Sequence, residues 1–474
     1  MSQLPIDCLN DIFEYLEDDR LTLYSCLLVN HLWCKISVRI FWRNSCKYST
    51  SNVITLTSCF PSESKEILYK NGITILTPIT KFPIFNYASF CNVLSFKNIR
   101  KKVLDLIKQE IIYSKNRICG CIVIQEICKM FMDQISSLKE LLFFDYCRSA
   151  HILTLHPKSE YCLKNLSELR CNSSFTCENF RQLSKICHSI VLLYIEHGSP
   201  FISDGLGKLI SVQKNLKYFK YFGTMLRRST PIFSKLPNTL IKLEIFGGQV
   251  QISYSFLTKL VNLQELEISS SDDKIFEDFA NLQLPQLQTL KFINAYPKLE
   301  LLIKFLEING KNLKEFHIYN NDNSEILIII KLCPNLRKIF VRFDNDEIEI
   351  LKSIFESCKY LVSIKINCGD EFLSEKEALE AFIKYSHSYE NISELILFHR
   401  DTLTKELLPK ELESFLIKWT NCAPQKLLSL VIITENYFEK SLDKNEENMK
   451  IIKKYISLGI IKKFKIRNSF DDRI

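Results

Sequence analysis

The residues of this 474-residue chain that could do chemistry are scattered rather than grouped. His151 and His156 stand five apart around "LTL" and run into Pro157, a poor geometry for a shared metal. Cys119 and Cys121 form a "CGC" pair, but no two of the 18 cysteines stand three apart, so the CxxC unit of zinc ribbons and thioredoxin-like sites is missing. The GxSxG nucleophile elbow, the GxxxxGK[ST] phosphate loop and the HExxH zinc motif are absent. Gly205 and Gly207 make the sole GxG, which lacks the third glycine of a dinucleotide loop. The chain therefore reads as a non-enzyme with no cofactor and no metal.

Composition narrows the remaining classes. Apolar residues are 46% and charged residues 24% of the chain, as in folded globular proteins. The length exceeds a single compact core, so several domains or a repeat array is expected. The balance of 62 basic against 54 acidic residues leaves a net charge of +8. The basic clusters "KNIRKK" and "IKKFKIRN" lie far apart and mix with apolar residues, unlike the concentrated face that binds nucleic acid. The longest aliphatic run, "ILIII" at 326–330, is too short for a membrane span. No secretory leader precedes the amphipathic, acidic N-terminus, so the expected location is the cytoplasm or the nucleus. In that setting the cysteines read as small buried hydrophobes.

Stepping along the chain, the N-terminus is unusually well patterned. Ile6, Leu9, Ile12, Phe13 and Leu16 recur every three or four residues, which puts them on one helical face. Pro5 suits the first turn, where its missing N–H would be unpaired anyway, and Asp7 complements the helix dipole. "EDDR" interrupts the stripe, and Leu23, Cys26, Leu27, Asn30 and Trp33 resume it before a third segment, "VRIFWRN". Three helices in about 45 residues bury too little surface to be comfortably stable, so the rest of the chain or a partner should cover the stripe.

The order "LPIDCLNDIFEYLEDDRLTLYSCLLVNHLWC" resembles an F-box: Leu-Pro at the start, a hydrophobic helix ending in "IFEYL", an acidic turn, a second stripe, then "LVNHLWC". The resemblance covers residues 1–45. It implies docking on the Skp-family adaptor of a cullin–RING ubiquitin ligase, with Leu4, Pro5, Ile6, Leu9, Ile12, Phe13, Leu16, Leu27, Val29 and Trp33 as adaptor-facing or module-core residues. Sequence does not separate the two groups.

Most of the remainder repeats. The pattern apolar-x-x-apolar-x-apolar recurs as "LSELRC" from 166, "IVLLYI" from 190, "LKYFKY" from 216, "LIKLEI" from 240, "LQELEI" from 263, "LQTLKF" from 287, "LKEFHI" from 313, "LRKIFV" from 336, "LVSIKI" from 361 and "ISELIL" from 392. "LKELLF" from 138 extends it upstream, and "LLSLVI" from 427 and "IKKFKI" from 461 extend it downstream. Period and core resemble leucine-rich repeats, one strand and one helix per unit. The expected fold is therefore α/β: a three-helix F-box, then a leucine-rich-repeat solenoid with parallel strands on the concave face and helices outside.

Residues 138–474 are read as the repeat domain and 46–137 as a helical linker with irregular capping repeats, because a terminal repeat lacks a neighbour on one side. Within the linker, "IRKKVLDLIKQEII" is an amphipathic helix with Val103, Leu106, Ile107 and Ile111 inward, and "CIVIQEICKMFMDQI" is another. Asn165, Asn215, Asn262, Asn312, Asn335 and Asn391 stand directly before strands, where asparagine suits helix-terminating turns. The family's Asn or Cys eight residues after the first Leu is present as Asn321 but replaced by Ser174, Gly248, Ser271, Ala295, Asp344 and Gly369, so no continuous asparagine ladder is expected.

Strand alternation turns Lys220, Glu244, Glu267, Lys291, His317, Tyr319, Arg342 and Lys365 away from the core, as candidate contacts to a protein substrate. Their signs are mixed. With the resemblance, these features imply the substrate-recognition subunit of an SCF-type ubiquitin ligase, with cullin and RING subunits reached through the adaptor. The alternative is a leucine-rich-repeat scaffold whose N-terminal helices only cap the array.

Overall fold

The computed structural model describes every residue except 1–3, 74–82, 108–112, 145–149, 173–174, 198–203, 227–229, 251–252, 270–275, 294, 296, 319–322, 342–347, 370–371, 387–390, 400–405, 423–426, 435–440 and 469–474. It forms two compact units, Met1–Leu240 and Ile241–Ile474. The division falls within the repeat series.

The first unit opens with α1 (Ile6–Glu14), α2 (Arg20–Cys26) and α3 (His31–Phe41). Asp19 caps α2, its carboxylate accepting from the Thr22 amide at 3.0 Å, and Asn30 caps α3 by accepting from the Trp33 amide at 2.9 Å. Pro5 sits at the N-cap of α1, one position earlier than its ring alone suggested, and its carbonyl accepts from Leu9 N. Helices Thr50–Ser58, Ser62–Lys70, Phe96–Ile107 and Tyr113–Gln134 follow. In the third of these Val103 and Ile107 are buried as expected, Leu106 is half-buried, and Ile111 lies outside the described residues.

Five parallel strands run through this unit in chain order: β1 (Val93–Ser95), β2 (Glu140–Phe143), β3 (Glu168–Asn172), β4 (Leu192–His197) and β5 (Tyr218–Leu226). The second unit carries nine: β6 (Lys242–Val250), β7 (Glu265–Ser269), β8 (Thr289–Phe292), β9 (Glu315–His317), β10 (Lys338–Val341), β11 (Ser363–Cys368), β12 (Glu394–His399), β13 (Leu428–Thr434) and β14 (Ile461–Asn468), again parallel and in order. Each repeated sequence pattern contributes one of β2 to β14. Strand β1 adds one inside the segment read as a helical linker; at three residues, with only Leu94 and Ser95 buried, it is too short to carry the full pattern.

Parallel neighbours need a crossover, and here a helix or a 3-10 turn supplies most of them, stacked on the equivalent element of the next repeat. The three apolar positions of each pattern face that layer. Leu166, Leu169 and Cys171 in one repeat, or Leu287, Leu290 and Phe292 in another, are fully buried. Each such side chain contributes about 1.5 to 3 kcal/mol on leaving water.

The turn before most strands is bonded to its predecessor in one recurring way. Two successive amides share a single carbonyl oxygen of the previous repeat: Ser167 and Glu168 on Lys139 O, Gln288 and Thr289 on Gln264 O, Lys314 and Glu315 on Gln288 O, Arg337 and Lys338 on Lys314 O. Both lone pairs of that oxygen are thereby used. The asparagines before the strands act across repeats as well. The amide nitrogens of Asn312, Asn335 and Asn391 donate to Pro285 O, Lys311 O and Lys359 O, at 3.1, 2.8 and 3.0 Å.

Buried amides do the same deeper in the stack. Asn309 accepts from Leu284 N at 2.8 Å and donates to Leu282 O and Phe305 O at 2.8 and 3.0 Å. Gln213 is its counterpart in the first unit, accepting from Ile190 N and donating to Cys187 O and Leu209 O. Most described cysteines are free, and many are buried with thiols pushed up by desolvation, to about 12 for Cys333 and Cys358. Cys121 departs from the expectation of reduced cysteines: it is disulfide-bonded.

Replacing Asn309 with Ala strands an amide and two carbonyls in the interior, each costing about 1–3 kcal/mol. The expected result of Asn309→Ala is a loss of at least about 3 kcal/mol in urea-induced unfolding with little change in far-UV circular dichroism; Asn312→Ala, exposed, should cost under about 1 kcal/mol.

Candidate functional site

Two surfaces gather the residues singled out from the sequence. The first is the N-terminal module. Leu9, Phe13, Leu23, Cys26, Ile36 and Ile40 close on one another as a small core, with Leu16, Leu32, Trp33 and Phe41 packed around it. Phe13 and Trp33 meet edge to face at 5.0 Å between ring centroids. Leu9 and Phe13 are thus module core, unavailable to a partner, and Leu16, Leu27 and Trp33 are half-buried at its margin. Pro5 is exposed at the start of α1.

The outer side is different. Leu4, Ile6, Ile12 and Val29 are 54%, 55%, 47% and 55% exposed, so this part of the expected set does face outward. Sequence reasoning passed over a second group: Leu21, Tyr24 and Leu28, at i, i+3 and i+7, are 83%, 57% and 74% exposed, opposite the buried Leu23 and Cys26 of the same helix. Tyr15 is also largely exposed. The signal was present, since α2 is apolar on both sides.

The acidic turn after α1 is tied down. Arg43 forms a two-pronged pair with Glu14, both N–H···O distances 2.6 Å, and holds the Glu14 carboxyl below its ordinary range; Lys47 pairs with Asp18 at 2.6 Å. Beyond α3, residues Arg43 and Ser45 are hydrogen-bonded to the first strand. Asn92 N and Val93 N both donate to Arg43 O, the same two-amide bond that links later repeats, and Ser95 N donates to Ser45 Oγ at 2.6 Å.

The second surface is the strand face turned away from the helices in the second unit. Register aligns Glu244, Glu267, Lys291, His317, Phe340, Lys365, Ile396 and Val431 in one row across β6 to β13. Five of the expected contacts therefore come together. Lys220 lies on β5 of the first unit, its ammonium 5.4 Å from the Tyr194 ring centre, and Tyr319 and Arg342 lie outside the described residues.

The neighbouring row, also outward by alternation but not singled out from sequence, supplies the partners. Lys242 bonds Glu244 at 2.8 Å and Glu265 at 3.3 Å. Glu315 sits between Lys291 at 2.8 Å and His317 Nε2 at 2.9 Å. From β10 onward the face turns apolar: Phe340, Phe398, Val431 and Ile433 are buried together, and the Lys365 ammonium lies 4.4 and 4.0 Å from the centres of the Phe340 and Phe398 rings. Of the mixed signs read from the sequence, Glu244, Lys291 and His317 are matched by Lys242 and Glu315 of the neighbouring row.

Among the described residues no three His, Cys, Asp or Glu side chains converge as a metal site, and no helix is long and apolar enough to cross a membrane. No protein-family model matches the chain, and no curated protein matches it. Among solved structures, a chain of the Drosophila Toll–Spatzle complex aligns at 13% identity and TM-score 0.31, over 65% of this chain and 46% of that one. A chain of the TLR13–ssRNA13 complex aligns at 12% identity and TM-score 0.25, over 72% of this chain and 62% of that one. This chain thus spans less than two thirds of the length of either. The fold assignment rests on the strand register above.

His317 offers a titration test. Burial holds it down to about 4 from an ordinary 6.5, against the opposing pull of its bond to Glu315; the nearby Lys291 and Lys365 ammonium groups push the same way as burial. The imidazole is then neutral at pH 7, with Nε2–H donating to the Glu315 carboxylate. Between about pH 6.5 and 4 the unfolded chain binds a proton that the folded chain refuses, so stability falls as pH falls through that window, by about 3 kcal/mol at most. Depression of the Glu315 carboxyl acts in the same direction at lower pH. Chemical denaturation at pH 7 and pH 4.5 should show this loss, and His317→Gln should remove a large part of it.

Proposed function

We propose that this chain is the substrate-recognition subunit of an SCF-type ubiquitin ligase, docking a Skp-family adaptor through its N-terminal helices and a protein substrate through its repeats. The observation that carries the reading is a small helical module with a closed core of its own that still leaves Ile12, Leu21, Tyr24, Leu28 and Val29 open. An apolar surface of that extent is costly in water unless a partner covers it. Burying five such side chains contributes about 1.5 to 3 kcal/mol each, comparable to the 4–15 kcal/mol that association costs.

In this reading the chain performs no reaction itself. It supplies proximity, bringing a bound protein close to the RING-bound conjugating enzyme. The leucine-rich scaffold is the second reading, favoured by one observation: Arg43 and Ser45 bond directly to the first strand, so the module also caps the array. The two roles are compatible, and removing residues 1–45 cannot separate them because it strips bonds from β1 in either case.

Point substitutions do separate them. Ile12→Asp/Leu28→Asp should weaken copurification with a Skp-family adaptor at least 100-fold while leaving the melting temperature within about 2 °C. Leu9→Asp should instead unfold the module. Normal adaptor binding by the double variant, or none by the folded wild-type chain, would overturn the proposal.

A further inference from the structure

The strand series does not end as it begins. Before β1, Arg43 O takes the amides of Asn92 and Val93, and Asn44 bridges to Val93, so the first strand has a bonded neighbour on its outer side. Among the described residues nothing does this for β14, which pairs with β13 on one side and with no strand on the other. A strand in that position presents a row of unpaired N–H and C=O groups along its free side. It is eight residues long, enough to template a whole partner strand.

The side chains of β14 are incomplete in a matching way. Register sets Phe464 beside Leu430 and Ile466 beside Ile432. Leu430 and Ile432 are fully buried, whereas Phe464 is half-buried and Ile466 is 50% exposed. The alternate residues turn to the other face: Lys463, Lys465 and Arg467 stand beside Ser429, Val431 and Ile433, so β13 sets no carboxylate opposite them. Lys463 Nζ lies 4.0 Å from Glu394, two strands away, and Lys465 has no ion pair among the described residues. One open edge thus carries uncovered apolar residues on one face and cations on the other.

We propose that β14 takes an added strand from a partner polypeptide in which acidic residues alternate with aliphatic ones. Main-chain bonds to the free edge supply affinity, and the alternating side chains supply specificity. The aliphatic residues of the added strand fall beside Phe464 and Ile466 and continue the inward row. Its carboxylates fall beside Lys463, Lys465 and Arg467, where opposite charges on neighbouring strands stabilise the pair. Lysines along an edge also guard against pairing with other copies of the same protein. Here the guard selects as well: a second β14 would set like charges side by side, whereas an acidic strand is attracted. The occupant is therefore an acidic partner and not a second copy of this chain.

The test uses the purified full chain and short fluorescent peptides, read by anisotropy. In the first peptide Glu and Val alternate, and in the second Lys and Val alternate. The third has the first one's composition in blocked order, and the fourth is the first with alternate backbone amides N-methylated. The first should bind at least about tenfold more tightly than each of the others at about 0.15 M salt, and more weakly as salt rises. Lys463→Glu/Lys465→Glu, outside the core, should keep the melting temperature within about 2 °C and reverse the preference, the Lys–Val peptide then binding at least about tenfold more tightly than the Glu–Val one. The proposal is overturned if the folded chain does not bind the Glu–Val peptide, if the blocked or N-methylated peptide binds equally well, or if the charge-reversed variant keeps the original preference. Sedimentation showing a dimer that Ile466→Asp dissociates would overturn it too. No adaptor is present in these measurements and adaptor docking is scored separately by copurification, so the two readings fail independently.

Discussion

A carbonyl oxygen has two lone pairs, and in most repeats of this chain the one that precedes a strand spends both on the two amides that begin the next strand. Lys139 O, Gln264 O, Gln288 O, Lys314 O and Arg337 O all do so. A single repeat cannot satisfy its own turn, nor bury its own leucines; both needs are met only by a neighbour. That lateral dependence fixes strand order, forces the parallel arrangement and stacks equivalent positions into columns. Helix length and turn type, which vary from a ten-residue helix at Cys177–Ile186 to a 3-10 turn at Tyr254–Lys259, are free to differ because the bonding does not pass through them.

How far this was legible in the sequence follows from which groups carry it. Side-chain periodicity located β2 to β14, since Leu, Ile and Phe must sit at the three inward positions. It missed β1, whose short segment "VLS" offers a single inward leucine. The asparagines before the strands were visible, but their role as donors across repeats was not, because a bond to a residue 24 to 32 positions back leaves no local mark. The same limit applies to Glu315, the centre of the Lys291–His317 network: only register on neighbouring strands brings the three together.

The N-terminal module shows what a pattern can and cannot sort. Spacing put Leu9, Ile12 and Phe13 on one stripe, and packing then split it, Leu9 and Phe13 turning into the module and Ile12 standing at its edge. A helical stripe about 100° wide has a centre and two margins, and which margin is covered depends on the crossing of the neighbouring helices. The second apolar side of α2 was visible in the sequence, and the inward packing of Leu23 and Cys26 is what makes Leu21 and Tyr24, with Leu28 just past the helix, the outer set.

Many modular proteins separate a docking element from a recognition element by a slack tether, which lets the two tumble independently and blurs any distance between them. Here Arg43, two residues past α3, passes its carbonyl to Asn92 and Val93 in the same manner as one strand turn passes to the next, with Glu14 and Glu17 clamped on the Arg43 side chain. Whatever holds α1 and α2 therefore holds β1 as well, like a handle forged in one piece with the first course of the blade.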